Sequence, residues 1–428
     1  MAIQKAGVIG AGAMGSEITQ AISAAGIPVV MKDINQEALN KGLSRIQRIY
    51  NSAVEKGRMT QADAELKSKL VIPTTAFSEF KDVDFVVEAA PEFLDLKKKA
   101  FQDLDGACPP HTIFATNTSS LSVSELASVT KRSNRVVGMH FFNPAHVMKL
   151  VEVVPGLTTG KDTVQETLEF AKRIKKLPVT VQECPGFLVN RLLLPYLNEC
   201  CVALQEGPAT VQQIDDQMKQ FGWPMGPFTL MDMLGLDVCA EVARVLRRAF
   251  GPRVRAAEIF DPMVAAGRLG QKNGAGFYDY GKLPTTGSQS GVPVGPAKKS
   301  TDEVVQEVRK STGAKPTRFD ALRPMLVMIN EGVMCVQEQV STPAEVDVAM
   351  VAGTGFPQDK QGPLHYADAL GLDTVLKEME RGTQEWGGPP FGASLAGSGR
   401  FWPYFRLKTM VGAGMLGVKS KQGFFNYP

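Results

Sequence analysis

The chain has 428 residues, of which 44% are hydrophobic and 21% charged, with a formal net charge of +3. That length holds two or three domains with cores of their own, and so small and evenly spread a charge excludes a surface built for nucleic acid or an anionic membrane. No apolar run reaches bilayer length, the N-terminus lacks the order of a secretory leader, and six scattered cysteines make no C-x-x-C pair, so a cytoplasmic protein with reduced thiols and no metal site is expected.

Residues 6–9 read as a short apolar strand, followed at once by Gly10-Ala11-Gly12-Ala13-Met14-Gly15 and a helix to about residue 25. This is G-x-G-x-x-G between a strand and a helix, the setting that dinucleotide binding requires. Gly10 permits the tight turn, Gly12 lets the backbone approach a pyrophosphate, and Gly15 lets helix and strand pack closely. The helix N-terminus offers unpaired N–H groups to the phosphates. A strand over 28–31 leads to Asp33, whose carboxylate suits ribose hydroxyls and repels a 2′-phosphate. NAD is therefore favoured over NADP, although Lys32 beside it pulls the other way.

Residues 36–69 read as two polar helices carrying Lys41, Arg45, Arg48, Lys56 and Arg58, either a solvated pair or a cluster able to meet a phosphorylated ligand. A strand over 84–88 runs to Ala90-Pro91-Glu92, with Lys97 on the next helix. Ligands of an open parallel sheet sit at the carboxyl ends of its strands, so Glu92 and Lys97 are expected to border the dinucleotide. A strand over 112–116 leads into Asn117-Thr118-Ser119-Ser120. Ser120 or Ser122 suits a helix cap, whereas Ser119, at the strand's end, suits a ligand contact.

Residues 136–154 hold two β-like runs about the turn-forming Asn143-Pro144-Ala145. A hairpin centred near residue 146 sets His140 opposite Glu152, with Cβ atoms roughly 5 Å apart. The carboxylate then fixes the tautomer and orientation of the imidazole. The pattern reads as a general acid–base dyad or as an ordinary hairpin with a half-buried His and a solvent-facing Glu. His111 is expected to face solvent, His146 lies at the turn and His365 is far along the chain. Only His140 is expected near both a carboxylate and the cofactor edge of the sheet, which makes it the candidate proton acceptor. A helix over 162–175 and a strand over 178–181 complete the layer.

Cys184-Pro185-Gly186 breaks the chain and helical patterns follow. A mostly apolar helix over 187–205 carries Asn190 near its start, either a local hydrogen-bonder or a residue at the cleft of the nucleotide domain. The second half then repeats itself. Leu197-Asn198-Glu199 returns as Ile329-Asn330-Glu331, Gly235-Leu236-Asp237 as Gly371-Leu372-Asp373, and the stretch 269–278 as 416–425. Residues 281–296 form a flexible linker by composition. Two copies can pack about a pseudo-twofold axis as an internal dimer, which leaves the chain a monomer. The second copy has Leu322 in place of Asn190, so it is a packing partner rather than a second active site. The expected fold is α/β then all-α: a Rossmann-type doubly wound domain over 1–183, a helical copy over 184–280, a linker over 281–300 and a second copy over 301–428.

With the motifs GAGAMG, VVEAAPE, ATNTSSLS, GMHFFNPAHVMKLVEVV, CPGFLVNR, FGWPMGPF and GQKNGAGFY in place, the chain resembles the L-3-hydroxyacyl-CoA dehydrogenases over essentially its whole length. It is most similar to the dehydrogenase portion of the large chain of bacterial fatty-acid oxidation complexes, which also carries the C-terminal unit twice. The resemblance implies NAD-dependent oxidation of an (S)-3-hydroxyacyl-CoA thioester to the 3-ketoacyl-CoA, as in β-oxidation. It makes His140 the catalytic base, with Glu152 orienting it and Ser119 and Asn190 contacting substrate near the reacting carbon. It places nucleotide contacts at Gly10, Gly12, Met14, Gly15, Asp33, Ala90, Glu92, Lys97, Ser119, Asn143 and Lys272. Coenzyme A contacts do not map residue by residue, and acyl length and docking to a separate hydratase or thiolase stay open. The large chain usually opens with an enoyl-CoA hydratase domain, whereas the nucleotide domain here starts at Met1, so no hydratase activity is expected of this polypeptide. Two alternatives remain. An NADPH-preferring 3-hydroxybutyryl-CoA dehydrogenase working reductively is opposed by Asp33. An inactive NAD-binding scaffold is opposed by the intact Ser119, His140, Glu152 and Asn190.

Overall fold

A strand with no polar member needs cover on both faces, and Ala6–Ile9 (β1) finds it in the middle of a sheet, buried at all four positions. The computed structural model describes residues 3–251, 256–281, 297–312, 318–386 and 399–428, and it divides into two units, Met1–Phe187 and Leu188–Pro428. Most of the linker expected over 281–296 lies outside the described residues.

In the first unit β1 is followed by Ala13–Ala24 (α1), Val29–Lys32 (β2), Gln36–Glu55 (α2), Gln61–Ser68 (α3), Val71–Thr74 (β3), Phe85–Glu88 (β4), Leu94–Ala107 (α4), Ile113–Thr116 (β5), Val123–Ala127 (α5), Val136–Phe141 (β6), Leu150–Pro155 (β7), Lys161–Arg173 (α6) and Leu177–Thr180 (β8). The eight strands lie in the order β3-β2-β1-β4-β5-β6-β7-β8. Every neighbouring pair is parallel except β6 and β7. The crossover helices bury their apolar stripes against the sheet, as Leu39, Ile46 and Tyr50 of α2 do. This is the doubly wound architecture read from the alternation of elements, with the first six strands pointing their carboxyl ends to one edge.

The strand β3 is an addition that the sequence pattern leaves unassigned. Its VIPT run carries Pro73, which cannot donate to a ladder and is tolerated because β3 is an edge strand. The hairpin of β6 and β7 has the expected register, His140 directly opposite Glu152.

The second unit is built on the helices Val189–Glu206 (α7), Val211–Phe221 (α8), Pro227–Leu234 (α9), Leu236–Phe250 (α10), Phe260–Ala265 (α11), Thr301–Thr312 (α12), Leu322–Gln337 (α13), Pro343–Thr354 (α14), Pro363–Leu370 (α15), Leu372–Glu385 (α16) and Phe405–Gly412 (α17). The helices α7 and α13 occupy equivalent places in the two copies and pack against each other. Their buried polar groups answer one another across the pair. Arg191 of α7 meets Glu338 at 2.6 Å and Glu331 at 3.5 Å. Arg323 of α13 meets Glu199 at 2.6 Å and Glu206 at 2.7 Å. Each arginine thus takes the two glutamates that correspond to those taken by the other, the self-complementary pattern of a twofold interface inside one chain.

The copies also close alike. Asp232 accepts the N–H groups of Phe277 (2.7 Å) and Tyr278 (2.9 Å) and the hydroxyl of Tyr280 (2.9 Å). Asp368 does the same for Phe424, Phe425 and Tyr427.

Candidate active site

The glycine loop separates into residues the fold needs and one it does not. Gly10 has φ +101°, and a Cβ there would stand 2.6 Å from the Ala89 carbonyl oxygen; at Gly15 it would stand 1.9 Å from that of Gly10. At Gly12 it would meet nothing within 4 Å. Gly12 is also the N-cap of α1 and lends it no side-chain acceptor. Open ground in front of an uncapped helix N-terminus fits a pyrophosphate, which would supply the missing acceptors.

Asp33, one residue past β2, accepts the N–H groups of Ala11 at 2.6 Å and Ile34 at 2.7 Å, so its carboxylate is held against the loop. The Lys32 ammonium lies over the Phe77 ring, 4.3 Å from its centroid, and is engaged there by the face of the π-system. Met14 packs partly buried against the core of the sheet.

Glu88 ends β4 fully buried, yet its carboxylate is satisfied. It accepts from the Ala90 N–H (2.6 Å), from Thr116 Oγ1 (2.7 Å) and from Lys97 Nζ at 2.9 Å to each oxygen. Lys97, expected at the dinucleotide edge, is instead enclosed, with none of its side chain exposed. Three acceptors draw it inward, because its ammonium also donates to the Ala90 carbonyl (3.1 Å) and sits 3.3 Å from the Glu92 carboxylate. Glu92 is exposed and passes the grip on: it accepts the Ser119 N–H at 3.0 Å and the Thr118 hydroxyl. Lys97 therefore positions Glu92 and Ala90 from beneath.

The Ser119 loop is held at its far end too. Ser122 caps α5 and donates to Glu183 at 2.7 Å, and the Ser124 hydroxyl donates to the same carboxylate. The cap thus falls to Ser122 rather than Ser120, and the half-buried Ser119 keeps its hydroxyl at the strand end. Asn117 accepts the Phe141 N–H at 2.8 Å, tying the end of β5 to the strand that carries His140.

His140 Nδ1 lies 2.6 Å from Glu152 Oε2. Glu152 is wholly buried and His140 is 7% exposed, which removes the reading of a solvent-facing Glu. A carboxylate can only accept, so Nδ1 carries a proton and Nε2 is the ring nitrogen left to exchange one with a ligand. The rings of Phe142 and Phe187 flank the imidazole, with centroids 4.6 and 5.8 Å away.

Carboxylate contact does not by itself single out His140. His111 lies 3.1 Å from Asp84, His146 is 3.5 Å from Glu17, and His365 Nδ1 is 2.7 Å from Asp347. Burial together with a place at the carboxyl edge of the sheet is what distinguishes His140. His365 belongs to the second helical copy, stacked on Phe425 at 3.5 Å, and burial pushes its partner Asp347 up to about 6.

Asn143 is exposed on the β6–β7 turn, and its bond to Pro144 is cis. The turn is anchored by Glu17 of α1, which accepts the Ala145 N–H, and by Lys176, which donates to the carbonyls of Ala145 and Met148, the latter at 2.8 Å. Burial pushes the Lys176 ammonium down to about 8, with Glu17 opposing the shift.

In the second unit Asn190 is the second residue of α7. Lys272 pairs with Asp237, and Lys419 pairs with Asp373 at the equivalent place in the other copy.

A model of the "3-hydroxyacyl-CoA dehydrogenase, NAD binding domain" matches residues 5–184, and one of the "3-hydroxyacyl-CoA dehydrogenase, C-terminal domain" matches twice, over 186–280 and 319–427. The chain belongs to the 3-hydroxyacyl-CoA dehydrogenase family. The first unit of the chain is the family's NAD-binding domain, and the glycine loop and Asp33 fit that cofactor. The chain is 36% identical over 416 residues to the fatty acid oxidation complex subunit alpha of Shewanella oneidensis, covering 96% of this chain and 55% of that one. It is 38% identical to the subunit of the same name from Psychrobacter arcticus, covering 89% and 52%. It spans about half the length of these curated relatives. Among solved structures, 3-hydroxybutyryl-CoA dehydrogenase from Escherichia coli K12 is 30% identical with a TM-score of 0.83, covering 97% of this chain and all of that one. The (S)-3-hydroxybutyryl-CoA dehydrogenase PaaH1 from Ralstonia eutropha is 42% identical with a TM-score of 0.65, covering 66% of this chain and all of that one.

Sequence reasoning missed Glu88, Asn117, Glu183 and Glu17, which orient the expected site residues. Only Glu88 left a signal, an acid closing an otherwise apolar strand. Among the described residues no helix is long and apolar enough to cross a membrane.

Proposed function

We propose that the chain oxidises (S)-3-hydroxyacyl-CoA thioesters to 3-ketoacyl-CoA with NAD, and that the buried His140–Glu152 pair, 2.6 Å apart, carries the reading. Bound NAD⁺ supplies the hydride acceptor. His140 takes the C3 hydroxyl proton at Nε2, and Glu152 stabilises the imidazolium that forms. Ser119 and Asn190 hold the hydroxyl and the thioester, so that C3 is presented in one orientation. Gly10, Gly12, Met14, Gly15, Asp33, Ala90, Glu92, Asn143 and Lys272 line the dinucleotide, with Lys97 acting through Glu92. Asp33 against the loop and Lys32 on Phe77 favour NAD over NADP. The chain works as a cytoplasmic monomer with its pseudo-dimer inside, over domains 1–183, 184–280 and 301–428.

The test is the reverse reaction. Acetoacetyl-CoA should drive loss of NADH absorbance, with NADPH at least tenfold slower in kcat/KM, a difference of about 1.4 kcal/mol. No loss with either cofactor sinks the assignment.

The glycine loop yields a second expected result. Gly12→Ala adds a methyl where nothing in the chain stands, so its stability should stay within about 1 kcal/mol of the parent. Its NADH affinity should fall by roughly tenfold or more as the methyl meets the pyrophosphate. Fluorescence titration beside a thermal melt separates the two, and unchanged affinity would remove the pyrophosphate from in front of Gly12.

A further inference from the structure

Among the described residues the two helical copies are not covered alike. In the first copy, residues 297–301 and α12 cross the trough between α11 and the closing turn. The Lys298 N–H donates to the Ala266 carbonyl (2.9 Å), and the Thr301 hydroxyl to those of Gly276 (3.1 Å) and Phe277 (3.0 Å). Arg268 donates to the Lys299 carbonyl at 3.1 Å. Farther on, Arg309 donates to Leu204 at 2.8 Å and Ala209 at 3.2 Å. Val304, Val305 and Val308 of α12 are buried by this docking, and so are Ala266, Leu269 and Phe277 beneath it.

The second copy repeats the floor of that trough. The Arg268 N–H bonds to the Met263 carbonyl, and the Met415 N–H bonds to that of Met410, each at 3.0 Å. Gly267 and Gly414 turn the chain with φ +78° and +75°. Ala266, Leu269 and Phe277 therefore correspond to Ala413, Leu416 and Phe424. Among the described residues nothing crosses them: Ala413 is exposed, Leu416 and Phe424 are half-buried, and Phe405 is 76% exposed. The result is an open concavity lined by Gln337, Phe405, Thr409, Met410, Met415 and Phe424. Met415 stands there in place of Arg268. Arg406 lies exposed on its rim, with no carboxylate within 4 Å among the described residues.

We infer that this groove docks an amphipathic helix of another polypeptide, built as α12 is built. The first copy shows what shape the trough accepts: a helix with a small aliphatic stripe and a hydroxyl residue at its N-terminal end. The Gly423 and Phe424 carbonyls stand where the acceptors of Thr301 stand. The charge on Arg406 selects a helix with an excess of acid, as α12 has in Asp302, Glu303 and Glu307 against Arg309 and Lys310. Burying three aliphatic side chains against this floor provides the driving force, and the rim charge provides register.

The probe is a fluorescein-labelled peptide of residues 297–312, titrated into the intact chain and followed by anisotropy. Saturable one-to-one binding is expected. It should weaken tenfold or more with Phe405→Glu or Thr409→Arg in the protein, or with Val304→Asp and Val308→Asp in the peptide. Both protein variants alter exposed side chains and should keep the parental melt and turnover. Absence of binding overturns the inference. So does binding indifferent to Phe405→Glu and Thr409→Arg, which would mean exchange with α12 in the first copy. A concentration-dependent dimer in sedimentation, abolished by Phe405→Glu without peptide binding, would give the groove to a second copy of the chain instead.

Discussion

His140→Gln should lower turnover by about 10²- to 10⁴-fold, the range that a positioned general base contributes. The substituted amide keeps a polar group of similar reach, but it cannot take a proton near neutral pH. Nothing in the dinucleotide loop depends on the imidazole, which is held by Glu152 across the hairpin. NADH affinity should therefore stay within about twofold, well under the 1.4 kcal/mol that a tenfold change represents. Steady-state rates with acetoacetyl-CoA, beside an NADH fluorescence titration, decide the matter. A loss of turnover with equal loss of NADH binding would point to misfolding of the hairpin. Near-parental turnover would remove His140 from the proton transfer.

The largest effect on stability is expected at Glu199. It is fully buried between two arginines, with Arg323 Nε at 2.6 Å and Arg400 Nη2 at 3.2 Å from Oε1. Glu199→Gln keeps the shape and removes the charge that the two buried guanidinium groups share, leaving Glu206 as the carboxylate partner of Arg323 and Arg400 short of its counter-charge. Breaking a buried pair from one side costs about 3–5 kcal/mol. For a unit of this size that is a fall in Tm of roughly 6–20 °C. The same change at Glu338, whose side chain is about a third exposed, should cost less than about 1 kcal/mol, because water replaces the lost partner.

The acid limb of the stability curve checks the mechanism. Burial alone would raise the Glu199 carboxyl, but Arg400 and Arg323 outweigh it and hold the group below its usual range. A carboxyl depressed in the folded state stabilises fully above its unfolded value, about 4.3, and the contribution is lost as pH falls through the folded value. The parent should therefore lose stability in acid more steeply than Glu199→Gln, so the two denaturation curves converge as pH falls. Parallel curves would show that the arginines are not what Glu199 neutralises.

Short-range patterns determined much of this molecule. A glycine hexad between a strand and a helix can do little but turn tightly, and two β-runs about Asn143-Pro144 set His140 opposite Glu152 by counting. The repeat of Asn-Glu, Gly-Leu-Asp and the closing glycine motifs announced the duplicated helical unit. Each of these is written within a window of a dozen or so residues, or as one window copied. The tertiary structure alone decided who pairs with whom. Lys97 went inward to Glu88 rather than outward to a ligand, because enclosure brought three acceptors around one ammonium. Glu92 and Glu183 took hold of the Ser119 loop from 27 and 59–61 residues away, and Arg191 reached Glu331 across 140. No periodicity records such choices, since charged side chains are long and the partner is whichever acceptor the packed elements bring within reach. For the same reason the sequence shows two equal copies, and only packing reveals that α12 covers one of them.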